Sequence, residues 1–189
     1  MLSLFQLNAN HVWSKSAALR CPATVAGVNL TFADNNPLAD TITRAAGNFI
    51  NDGYQAGDQF VVTLTANNNH TFTIGAGGVA AGVLTLVSGD ALVNEGPGVG
   101  TITALIPPVE LDLRSPAGIP PSSVIPVNRG AAFTEVSFDG GTNWFGLRAY
   151  DTDVNHPYIG HPWPAPIYHV ALRTAAGSVG SVEFVCLKP

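Results

Sequence analysis

Asp151, Asp153, His156, His161 and His169 place five potential metal ligands within 19 positions, the densest group of titratable side chains in the chain. The chemistry such a group suggests is cation binding. Its spacings fit no zinc pattern of known geometry, and neither a cysteine pair nor an HExxH segment accompanies it. Asp151-x-Asp153-x-Asn155 opens like a calcium loop, but the sixth position is His156 where glycine should make the turn, and the twelfth is Pro162 rather than a bidentate glutamate. A metal is therefore not expected, and His156 and His161 are the residues one would engage first.

The other reactive side chains are no better placed. Glu135 or Asp139 with Asp151 could be drawn as a pair of carboxylates across a cleft, but thirteen acids in a β-rich chain supply such pairs by chance. Neither Ser88-Gly89 nor Gly177-Ser178-Val179-Gly180 has the strand-turn-helix setting of a nucleophile elbow. No phosphate-binding loop, dinucleotide fingerprint or CxxC is present. The expectation is a protein that is not an enzyme and uses no cofactor.

The elements that would have to carry these residues are strands. Glycine (20) and proline (14) are scattered through 189 residues, and Val, Ile, Thr, Phe and Leu alternate between them at period two. Residues 59–65, 71–74, 82–87, 101–105, 109–113, 133–138, 167–173 and 181–187 each read as a strand. Helix is confined to 14–20 and a turn at 45–51. The pattern changes near Ile106-Pro107-Pro108. It predicts an all-β chain made of an extended N-terminal arm (1–27), a small β-barrel of five or six strands (28–106) and a second β-sandwich or β-barrel unit (107–189).

The segment from Leu30 to Glu95 resembles a small β module of structural proteins in tailed bacteriophages. The resemblance is carried by Phe32, Asp34, Asn36-Pro37, Asp40 to Arg44, Asp52-Gly53-Tyr54, Gly57-Asp58, Asn68-Asn69, Thr71 to Ile74, Leu84-Thr85-Leu86, Leu92 and Glu95. That pattern usually has glycine after the asparagine pair, where this chain has His70. Further on, Ser137-Phe138-Asp139-Gly140-Gly141-Thr142-Asn143-Trp144 resembles repeats of phage tail and baseplate proteins and the Asp-box hairpins of sialidases. A single box excludes a propeller and leaves an architectural hairpin in which Trp144 folds over the turn. The resemblance implies a virion protein, made in the host cytoplasm, with copies of itself and other virion proteins as partners. A capsid decoration or cement protein, or a neck accessory, is the form favoured. The alternative is a receptor- or carbohydrate-binding module of a tail fibre or baseplate, with Trp144, Tyr158 and Trp163 as stacking platforms.

Composition agrees with an assembly role. Charged residues are only 11% of the chain, with a net charge of −5, so the surface repels its neighbours weakly. Residues 28–106 contain no lysine and one arginine, Arg44, which argues against a nucleic-acid platform. No apolar run reaches bilayer length, and residues 1–21 lack the basic start and apolar block of a secretory signal. Cys21 and Cys186 could form a staple between the ends of the chain, an intersubunit bond, or two thiols, the last being usual for a protein that is not exported. The expected contacts are Phe5, Val12 and Trp13 of the arm, and Pro157, Tyr158, Trp163 and Tyr168 of the proline- and aromatic-rich loop 150–169, whose stiffness lowers the entropic cost of docking.

Overall fold

The computed structural model describes residues 11–115, 118, 120–148, 158–159, 163–164 and 169–187, and all regular structure among them is β. The chain forms two compact units, one of residues 21–106 and the other of residues 1–20 with 107–189.

The first strand, β1 (His11–Cys21), runs in the second unit. Next come β2 (Val25–Ala33), β3 (Thr41–Arg44), β4 (Gln59–Thr63), β5 (Thr71–Val79), β6 (Val83–Leu86) and β7 (Glu95–Ala104). These six close into a barrel in the order β2-β3-β6-β5-β4-β7, every pairing antiparallel. Period-two alternation sends Leu30, Phe32, Ile42, Phe60, Val62, Phe72, Ile74, Leu84, Leu86 and Ile102 inward, all at most 2% exposed. Closure removes the sheet edges. Gly75 lets two strands approach closely, since a Cβ there would stand 2.5 Å from the Leu86 carbonyl oxygen.

Arg44, the last residue of β3, anchors the loop that follows it. Its guanidinium lies 2.5 Å from the Asp52 carboxylate and 4.2 Å from the Phe49 ring centroid, with only 3% of the side chain exposed. The loop itself turns on Asn48, whose side-chain oxygen accepts from the Ile50 and Asn51 amides. The turn expected at 45–51 thus forms without extending into a helix.

In the second unit, β8 (Val109–Asp112), β9 (Ser123–Asn128), β10 (Thr134–Ser137), β11 (Phe145–Leu147), β12 (Tyr158–Ile159), β13 (Trp163–Pro164), β14 (His169–Thr174) and β15 (Ser178–Leu187) join β1. One sheet runs β1-β15-β9-β12 with β13 also on β9, and the other runs β11-β10-β14-β8. Their inner faces share one core, from Ala17 and Leu19 of β1 through Val124, Val136 and Leu172 to Val182, Phe184 and Cys186 of β15.

Two expectations are corrected. Residues 14–20 are strand rather than helix: Ala17 and Leu19 are buried at alternate positions, and pairing with β15 satisfies the backbone. The segment 1–27 is not one arm, because 11–20 belongs to the second unit's sheet and Val25 already opens the barrel. Neither Cys21 nor Cys186 is in a disulfide, and burial pushes the Cys186 thiol up to about 11.

Candidate functional site

The barrel's alternation of direction puts the loops 34–40 (β2 to β3), 64–70 (β4 to β5) and 87–94 (β6 to β7) at one end. Polar side chains lock these loops together. The Asn68 side chain is fully buried: its oxygen accepts from the Val93 amide at 2.9 Å, and its nitrogen donates to the Val93 carbonyl and to Glu95. Glu95 also accepts from the Ala66 and Asn67 amides at 2.9 and 3.0 Å. Although burial pushes its carboxyl up, these donors outweigh it and hold the group below its ordinary range. The Asp34 amide donates to the Asn94 side chain, joining the first loop to the third.

On this frame stand exposed apolar side chains, Leu38 (74%), Leu64 (75%) and Val93 (51%). Leu64 has φ +65°, a left-handed conformation that a leucine rarely adopts and that the loop's bonds impose. Between the first and third loops lies a pocket of about 240 Å³ lined by Asp34, Asp40 and Asp90 together with Asn36, Leu38, Ser88 and Leu92. Each aspartate gives one oxygen to a backbone amide, those of Asn36, Asn35 and Thr73 respectively. Asp40 is only 7% exposed.

The second constellation is the β10–β11 hairpin. The Asp139 carboxylate accepts from the Thr142 and Asn143 amides at 3.1 and 2.8 Å and from the Asn143 side chain at 2.6 Å, and it accepts the Ser137 hydroxyl at 2.7 Å. The Asn143 amide above all, then the Asn143 side chain and Ser137, pull its carboxyl down to about 2. Gly140 and Gly141 supply the positive φ the turn needs. Trp144 folds back and donates its indole N–H to the Gly141 carbonyl at 2.9 Å, while the Arg173 guanidinium lies 4.0 Å from its ring centroid and pairs with Glu135 at 2.7 Å. Trp144 is thereby committed to its own hairpin.

Of the contact residues named from sequence, Trp13 packs half-buried against the second unit's own core and donates its indole N–H to the Leu113 carbonyl at 2.8 Å. The backbone of Val12 lies in β1, that of Tyr158 pairs with Asn128 and that of Trp163 with Val124. The side chains of these three, and Phe5, Pro157, Tyr168, His156 and His161 altogether, lie outside the described residues. So do Asp151 and Asp153. Among the described residues no group of three or more His, Cys, Asp or Glu is placed to hold a metal ion.

The barrel end was not singled out from the sequence. The signal available was leucine and valine inside loops otherwise made of Asn, Asp, Gly, Ser and Pro, as in Pro37-Leu38-Ala39 and Ala91-Leu92-Val93-Asn94. Comparison with protein-family models, with curated proteins and with solved structures finds no match for this chain.

Proposed function

We propose that this protein is a non-enzymatic structural component of a tailed-phage virion, a capsid decoration or cement protein or a neck accessory, which self-associates and docks on other virion proteins. The observation that carries the docking role is a surface of few charges on which large apolar side chains stand exposed, Leu38 and Leu64 in hydrogen-bonded barrel loops and Val179 in β15, each at about three-quarters. Exposed apolar groups already held in place lose little entropy when a partner covers them. Small contributions per copy, at about 25 cal/mol for each Å² of apolar area, add up over a repeated shell. The phage assignment rests on the resemblance of residues 30–95 and of the 137–144 hairpin. In the receptor-binding alternative Trp144 contributes little, since Arg173 occupies one face of its ring; that reading leans on Tyr158 and Trp163.

The test is mass spectrometry and image reconstruction of purified particles of the phage that encodes the chain. The protein is expected in fixed stoichiometry, and particles lacking it should lose resistance to heat or osmotic shock. Absence from purified particles overturns the proposal. Particles that stay robust without it but fail to adsorb to cells select the receptor-binding alternative.

A further inference from the structure

We propose that the barrel end formed by loops 34–40, 64–70 and 87–94 is a docking surface for a short segment of a partner protein that carries one lysine or arginine between apolar residues. Three observations fix the chemistry of the occupant. First, the pocket is acidic: Asp34, Asp40 and Asp90 line it, each keeps one oxygen without a hydrogen-bond partner among the described residues, and the three loops contain no lysine or arginine. Asp40 is 7% exposed, so its charge is held in a weakly solvated setting where an incoming cation is worth more than at open surface. Second, Leu38, Leu64 and Val93 border the same end and stand 74%, 75% and 51% exposed, suited to apolar neighbours on either side of the cation. Third, size selects a segment over a folded face. These three side chains expose on the order of 300 Å², well under the roughly 800 Å² that each partner gives to a standard protein interface.

The surface is also preformed. Asn68 and Glu95 hold the middle loop, the Asn94 side chain ties the first loop to the third, and Leu64 is kept in a conformation that costs energy in the free protein. Rigid loops of this kind fit recognition, because the ordering cost has been met in folding.

The inference takes from the proposed function only that the chain docks on other proteins, and its test needs no particle, so either can fail without the other. Full-length ¹⁵N-labelled protein is titrated with the blocked pentapeptide Ala-Leu-Lys-Leu-Ala and with the same peptide carrying Glu for Lys. The lysine peptide is expected to shift backbone amides of 34–40, 64–70 and 87–94 with a millimolar dissociation constant, and the glutamate peptide to leave them unmoved. The double variant Asp34→Asn with Asp90→Asn should weaken binding about tenfold, and Leu64→Asn, in which asparagine tolerates the backbone, should weaken it several-fold with the spectrum otherwise native. Equal shifts from both peptides, or none at millimolar peptide, overturn the proposal. It is equally overturned if calcium alone moves these amides, which would make the aspartates an ion site, or if diluting the protein without peptide moves them, which would make the surface a contact between copies.

Discussion

Leu64 shows how a single residue reports on its surroundings. Its φ of +65° at 75% exposure gains nothing from burial, so the conformation is held by the bonds of Thr65 to Asn69 and of Ala66 to Glu95. Replacing it with asparagine, which accepts the left-handed region, should stabilise the protein by about 1 kcal/mol, read as a higher urea midpoint at unchanged slope. Asp139 is the acid counterpart. Its folded carboxyl lies near 2 against an ordinary 3.8, chiefly through the Asn143 amide. Its contribution is therefore complete above 3.8 and fades as pH falls toward 2. Asp112, held low by the Arg114 side chain, acts in the same direction. Urea midpoints measured across that window should fall with pH, and Asp139→Asn should flatten the fall; an unchanged slope would refute the assignment.

Among the elements, the β5–β6 pair sets the tightest constraint against backbone. A Cβ at Gly75 would meet the Leu86 carbonyl oxygen at 2.5 Å, a backbone atom that cannot swing aside, whereas a Cβ at Gly96 meets nothing within 4 Å. Gly75→Ala should therefore cost about 2 kcal/mol or more, and Gly96→Ala should stay within about 0.5 kcal/mol. Equal effects in thermal unfolding would show that the strands do not approach as described. The same elements show what was readable in advance. Residues 59–63 alternate cleanly because Phe60 and Val62 face the barrel core, and Ser137 to Trp144 announce their turn through residues that bond within eight positions. Residues 14–20, with Lys, Ala, Leu and Arg, suit a helix in isolation; β15, more than 150 residues away, makes them a strand. β9 lacks the usual strand signature because Pro126 interrupts it, although Val124 and Val127 are buried.

At the scale of the whole molecule, two cores divide the chain, and the second is assembled from both of its ends. Ala17 and Leu19 reach the cluster that contains Val182, Phe184 and Cys186. Deleting residues 1–20 should consequently unfold or strongly destabilise the second unit while the barrel of 21–106 keeps its transition, a difference visible as retained exchange protection in 59–63 and lost protection in 182–186. Loss of protection in both would place the first twenty residues in the barrel's stability as well. What the sequence determined by itself was the all-β class, most strand positions, the local hairpin of 137–144 and the scarcity of charge, because each depends on periodicity, turn chemistry or composition over a few residues. Only the tertiary structure decided that residues 11–20 complete a distant sheet, and that three separate loops meet at one end of a barrel to set Leu38, Leu64 and Val93 at the same end as an acidic pocket. Those placements follow from strand order and closure, which are contacts between residues far apart in the chain.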